Sequence, residues 1–231
     1  IMEIKVKIEK ILDLLSQQVS EFELPAVDFL YSKKFNNFQI LISIILSSRT
    51  KDKTTLESSL RLFEKVSNCK DLQKLTNLQI QKLIYPVGFY KTKAKNLKKL
   101  CFVLNKDFNS KIPETIDELI KLPGIGRKTA NLYISTVLKK PAICVDTHVH
   151  RILNRIGYLN TRTPYETEMF LRKNLDKLYW KKINFVLVLF GQNICRPIGP
   201  KCNICKIKNY CLHYEKINKQ NSRNKKIKNQ K

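Results

Sequence analysis

The sequence predicts an all-α fold. Three observations carry the prediction: apolar residues recur at helical spacing along most of the chain, helix-start signatures stand before several such stretches, and no two strand-like runs are joined by a hairpin turn. Ile4, Ile8, Ile11, Leu12, Leu15 and Val19 form an apolar stripe for a first amphipathic helix. Leu41 to Leu46 is apolar on every side, as a buried central helix requires; its β-branched residues would also suit a strand, and the helical patterns on either side decide against that. Leu56, Leu60 and Phe63 suggest another amphipathic face, as do Ala94, Leu97, Cys101, Leu104 and Phe108. Thr115 and Glu118 make a T-x-x-E capping box before Leu119. Thr163, Pro164 and Glu166 supply an N-cap, an N1 proline and an N3 acid.

A chain of 231 residues with 43% hydrophobic and 27% charged residues has enough material for one large or two modest globular domains. Its charge is unusual: 44 Lys and Arg against 19 Asp and Glu give +25. Residues 218–231 hold six of the positive residues and no acid, and removing them still leaves +19 on the body. Such a surface suits a polyanion, nucleic acid or an anionic membrane face, although a lysine-biased genome would also raise the charge. The segment 218–231 is expected to be a disordered basic tail. The longest strongly apolar stretch, Phe38 to Leu46, is far short of the twenty or so residues of a membrane span. No secretory pattern opens the chain, so an intracellular protein without a membrane role is expected.

Leu122-Pro123-Gly124-Ile125-Gly126-Arg127-Lys128-Thr129-Ala130 is the first segment with chemical content. A capped helix near 115–121 runs into a Pro-Gly-x-Gly turn and a second helix near 127–138. Gly124 and Gly126 let backbone approach a bulky partner, and the second helix opens with free N–H groups at its positive end. Together with Arg127 this makes a phosphate cradle indifferent to base identity. The bland alternative is a plain helix–turn–helix corner. Lys128 lies in the first turn of the second helix, where a cation is disfavoured. A lysine that sheds its proton there is a nucleophile toward a sugar C1′, while a phosphate contact is the plainer use.

Asp146 in Val145-Asp146-Thr147-His148 is a good N-cap for the helix bearing Val149, Ile152, Leu153 and Ile156. A capping carboxylate at the lip of a cleft is also able to stabilise positive charge on a sugar. His148 and His150 are spaced for opposite faces, which favours packing or hydrogen bonding over a shared metal.

Seven cysteines divide into two sets. Cys69, Cys101 and Cys144 stand alone in apolar surroundings and are expected to pack as small core residues. Cys195, Cys202, Cys205 and Cys211 follow a C-x6-C-x2-C-x5-C pattern. In a reducing compartment that clustering means four-thiolate ligation. The irregular spacing suits an iron–sulfur cube better than zinc, and zinc stays open on the residues alone. Arg196 and Lys201, in the six-residue loop between the first two cysteines, would place positive charge against phosphates.

In this order the segments Ile45 to Asp52, Val87-Gly88-Phe89-Tyr90, Leu122 to Asn131, Val145 to Arg151 and the four-cysteine signature resemble the endonuclease III family of DNA base-excision glycosylases, of the helix-hairpin-helix superfamily. The resemblance runs from about residue 4 to 215. It implies a six-helix barrel with the helix-hairpin-helix at 30–140, and a helical cluster domain from 1–29 and 141–217 holding a [4Fe-4S] cluster on Cys195, Cys202, Cys205 and Cys211. It implies Lys128 as nucleophile and Asp146 as assisting carboxylate, with Arg49, Phe89, Gly124, Gly126, Arg127, His148, Arg196 and Lys201 at the DNA.

The implied activity is removal of oxidised pyrimidines, with strand cleavage by β-elimination 3′ to the abasic site. The implied partner is double-stranded DNA bound by a monomer. The expected location is the cytoplasm or nucleoid of a prokaryote, or the nucleus or an organelle of a eukaryote. Arg49 stands where bacterial members commonly carry Gln, and His150 where they carry an aromatic, which bears on substrate preference more than on chemistry. Two other readings are a mismatch glycosylase on the same scaffold, which would lack the lysine, and a DNA-binding module without catalysis.

Overall fold

The computed structural model describes residues 7–228, with side chains described to Gln220. Among them there are helices and no strand. In chain order the helices are α1 (Ile8–Val19), α2 (Ala26–Ser32), α3 (Asn37–Ser47), α4 (Asp52–Phe63), α5 (Cys69–Lys74), α6 (Asn77–Ile84), α7 (Tyr90–Asp107), α8 (Ile116–Leu119), α9 (Arg127–Thr136), α10 (Thr147–Ile156), α11 (Pro164–Asn174), α12 (Trp180–Asn193) and α13 (Leu212–Lys228), with short 3-10 turns at Lys177–Tyr179, Cys202–Ile204 and Lys208–Tyr210.

The chain divides into two compact units: residues 24–144, and residues 1–23 together with 145–231. The first unit comprises α2 to α9. Its centre is α3, in which every residue from Gln39 to Leu46 is buried, and α2, α4, α7 and α9 pack against it. Helix α3 starts on a capping box: Asn36 Oδ1 accepts from the Gln39 N–H, and Gln39 Oε1 accepts from the Asn36 N–H. Burying so apolar a helix on all faces is what holds this unit together. Along α7 the residues Ala94, Leu97, Cys101 and Leu104 are buried as the spacing predicts, and Phe108 packs partly buried beside them.

In the second unit α12 packs against both α1 and α10. The stripe Ile8, Ile11, Leu12, Leu15 and Val19 is buried, as is Val149, Ile152, Leu153 and Ile156 on α10. Ile4 lies outside the described residues. Helix α11 begins as predicted: Thr163 caps the Glu166 N–H and Pro164 opens the helix.

Four expectations need correction. Helix α4 buries Thr55, Ser58, Ser59 and Leu62, while Leu60 is 38% exposed. Its inner face joins Leu62 to the small, hydroxyl-bearing Thr55, Ser58 and Ser59, which fit close against α3; the predicted Leu56 and Phe63 pack partly buried at the core's edge, and only Leu60 turns outward. The Thr115–Glu118 box is only half formed: Thr115 Oγ1 accepts from the Glu118 N–H, and the Glu118 carboxylate takes the Thr115 hydroxyl instead of a backbone N–H. Helix α8 is one turn long, and α9 ends at Thr136, ahead of Lys139 with its φ of 57°. The segment expected to be disordered from 218 continues α13 to Lys228, because its lysines, arginine and glutamine are good helix formers extending a helix anchored at Leu212.

Candidate functional site

In the first unit, the loop after α3 and the loop before α7 are locked together. Gly88 is required there: a Cβ would stand 2.3 Å from the Arg49 carbonyl oxygen. The Gly88 N–H donates to Thr50 Oγ1 at 3.1 Å. Arg49 and Phe89 are both exposed, and both hold left-handed backbone, at φ 52° and 57°. The Arg49 guanidinium lies over the Phe89 ring, 5.3 Å from its centroid. Arg61 braces the second loop by donating to the carbonyls of Leu83 and Tyr85.

The hairpin stands on the same helix, α7. Gly124 has φ +86°, and a Cβ there would press on Asn96 at 3.2 Å. Gly126 differs: it caps α9 in extended backbone, and a Cβ would meet nothing within 4 Å. No internal packing therefore demands a glycine at 126. Lys128 is exposed in the first turn of α9, beside the half-buried Arg127. The Lys128 carbonyl receives the buried Cys144 thiol at 3.7 Å.

In the second unit, Asp146 caps α10 as predicted. Its Oδ1 accepts from the N–H groups of His148 and Val149, both at 2.9 Å, so the cap uses a single carboxylate oxygen. The two histidines diverge. His148 Nδ1 meets Arg151 Nη2 at 3.1 Å, and His150 Nδ1 meets Thr167 Oγ1 at 2.7 Å.

The four cysteines line one cavity, together with Arg155, Ile156, Phe190, Ile194 and Ile207. Arg155 fixes the first loop: its guanidinium donates to the carbonyls of Arg196 (2.6 Å) and Pro197 (3.0 Å) and lies 3.4 Å from Cys195 Sγ. Arg151 holds the Cys195 carbonyl at 2.9 Å. Gln18 of α1 clamps the next turn, donating to the Ile204 carbonyl and accepting from the Lys206 N–H. Arg196 and Lys201 are exposed on the loop.

Burial pushes the thiols of Cys202, Cys205 and Cys211 up, Cys205 to about 11, and the nearby Cys195 raises each further. Four thiolates so placed need positive charge among them. Among the described residues no group of three or more His, Cys, Asp or Glu side chains stands ready to hold a metal ion. Four thiols lining one cavity are by their chemistry a donor set for zinc or for an iron–sulfur cluster.

A family model for HhH-GPD superfamily base excision DNA repair proteins matches residues 42–177. Endonuclease III of Thermotoga maritima is 42% identical over 193 residues, covering 84% of this chain and 91% of the relative. The chain belongs to the endonuclease III family. Endonuclease III of Rickettsia prowazekii is 36% identical over 190 residues, covering 82% and 88% of the two chains. A solved trapped endonuclease III–DNA covalent intermediate superposes with a TM-score of 0.83 at 30% identity, covering 94% of this chain and 99% of that one. The protein is thus an endonuclease III family base excision repair glycosylase with the all-helical fold of that family.

For this endonuclease III family member, the predicted residues fall into separate groups. Arg49 and Phe89 stack on each other; Gly124, Gly126, Arg127 and Lys128 share the hairpin; Asp146 and His148 share the start of α10; Arg196 and Lys201 flank the cysteine cavity. Sequence reasoning missed Lys93, Arg155 and Gln18, which hold the loops from behind. Lys93 had a signal: it lies four residues before Leu97, on the apolar face of α7. Among the described residues no helix is long and apolar enough to cross a membrane.

Proposed function

We propose that the protein is a bifunctional DNA glycosylase and abasic-site lyase that removes oxidised pyrimidines from double-stranded DNA, acting as a monomer. The observation that carries this reading is an exposed Lys128 in the first turn of α9, directly after a glycine hairpin, in a chain of the endonuclease III family. Mismatch enzymes of this scaffold have no such lysine. The trapped covalent complex of a structural relative supports the same chemistry.

The hairpin N–H groups and Arg127 take the backbone phosphates, and the damaged nucleotide is extruded from the stack. Lys128 Nζ attacks C1′ and the base leaves with its bonding electrons; the nitrogen lone pair then expels O4′, which takes up a proton as the sugar ring opens to the protonated Schiff base. The Schiff base acidifies the C2′ proton. Loss of that proton expels the 3′ phosphate, which breaks the strand. Asp146 stabilises positive charge at the sugar and helps to activate the amine by accepting a proton from it as it attacks.

Cys195, Cys202, Cys205 and Cys211 would hold a [4Fe-4S] cluster, which supplies cohesion to the loop and no redox step in this reaction. Arg196 and Lys201 then meet phosphates. Anaerobically purified protein should be yellow-brown and contain iron; colourless protein with stoichiometric zinc contradicts the cluster.

The function is tested with a duplex carrying one oxidised pyrimidine. Strand cleavage without alkali, leaving a β-elimination end, is expected. An intact abasic strand that breaks only in alkali would make the enzyme monofunctional. No base release at all would leave a binding module.

A further inference from the structure

Lys93 is the one lysine among the described residues that is buried, at 7% exposure, and no carboxylate pairs with it. Its Nζ donates to the carbonyl oxygens of Leu46 (2.8 Å) and Ser48 (2.5 Å) and to Thr50 Oγ1 (3.3 Å). These oxygens belong to the end of α3 and the turn that follows, the turn that carries Arg49. Thr50 Oγ1 also receives the Gly88 N–H, so one hydroxyl joins the Arg49 turn to the Phe89 turn. Lys93 is itself four residues beyond Phe89, whose carbonyl accepts its backbone N–H. A single buried ammonium thus ties both turns to the first coil of α7.

Burying an ammonium against neutral oxygens is costly, and a stable protein has cheaper ways to fill that space. Arg49 and Phe89 each hold left-handed backbone, which is unfavourable for residues with a Cβ. Such strain persists only where the surroundings over-determine it. What the brace holds in place is an exposed cation stacked on an exposed ring, two groups suited to a hole in a base stack.

We propose that Lys93 is a positioning residue that holds Arg49 and Phe89 as one preformed, stacked wedge for the gap left by the extruded nucleotide. The proposal rests on the glycosylase reading above. Lys93 touches neither DNA nor the reacting atoms; it acts through the two loops. Without it the wedge must be ordered during each encounter, and the loss falls on substrates that have a stack to fill.

Single-stranded DNA supplies the contrast. An abasic site in a single strand leaves no gap, so its cleavage does not draw on the wedge. The test compares cleavage of one abasic site in a duplex and in a single strand, for wild type, Lys93→Met and Thr50→Val. The duplex-to-single-strand rate ratio should fall about tenfold or more in Lys93→Met, as misplacement of positioning groups does elsewhere, and less in Thr50→Val. A merely structural role lowers both rates together, and an unchanged ratio in both variants overturns the proposal. Should Lys93→Met lack native circular dichroism, Thr50→Val decides by the same ratio.

A second readout needs no chemistry: 2-aminopurine opposite a tetrahydrofuran abasic analogue. Wild type should change its fluorescence on binding, and the variants should lose that change at saturating protein. An equal change in all three proteins counts against the wedge. If wild type cleaves neither substrate, the lyase reading fails, and the fluorescence still decides the role of Lys93.

Discussion

At the scale of single residues, the cap at Asp146 is separable by experiment from the catalytic role proposed for it. Its Oδ1 holds two backbone N–H groups, and asparagine caps about as well as aspartate. Asp146→Asn is therefore expected to melt within a few degrees of wild type and to lose most turnover. A variant that loses stability in proportion to turnover would reduce Asp146 to a cap. Lys93 makes a second residue-level prediction. Burial pushes its ammonium down to about 8, from an ordinary 10.5. Below pH 8 the folded and unfolded chains both hold the proton. Between 8 and 10.5 the unfolded chain binds a proton that the folded chain has released, so stability from this group rises with pH, by up to roughly 1.4 kcal/mol per pH unit. Lys93→Met lacks the group. The wild-type unfolding free energy minus that of Lys93→Met, from denaturant melts, should climb across this window, and a flat difference would mean the ammonium keeps its proton.

Helices and loops were unequally legible. The stripes of α1, α7 and α10 were plain because each faces a core on one side only. The segment Ile183 to Phe190 lies in α12, where an apolar run has no face to reveal its period. Helix α4 was only partly legible because Leu62 shares its inner face with Thr55, Ser58 and Ser59, small residues admitted by close packing on α3, while Leu60 faces outward. The hairpin was readable from its glycines, but only the structure separates their reasons. Gly124 needs its positive φ and its distance from Asn96; Gly126 has open space before it. Gly126→Asp should therefore stabilise α9, by about 0.5–1 kcal/mol, through a cap and a charge at the helix start. The same carboxylate should repel a phosphate and weaken duplex binding at least tenfold. Unchanged affinity, by fluorescence anisotropy, would remove the hairpin from the DNA interface. Lys93, Arg155 and Gln18 escaped notice because their partners are backbone oxygens and N–H groups far along the chain, and no local pattern encodes those.

Over the whole molecule, a net charge of +25 and membership of a base excision repair family point to the same polyanion. Each unit carries its own proposed DNA contacts: the stacked Arg49 and Phe89 with the hairpin in one, the capping Asp146 and the cysteine loop with Arg196 and Lys201 in the other. The four-cysteine signature and the glycine–lysine hairpin were legible at this scale because their chemistry fixes spacing in sequence. How the loops are braced was not, because it depends on tertiary approach. Borohydride trapping on an abasic duplex tests the Schiff-base lysine most directly. Wild type should form a covalent protein–DNA adduct that Lys128→Gln does not, while the variant still binds the duplex. A full yield of adduct from Lys128→Gln would place the nucleophile on another amine and contradict the assignment.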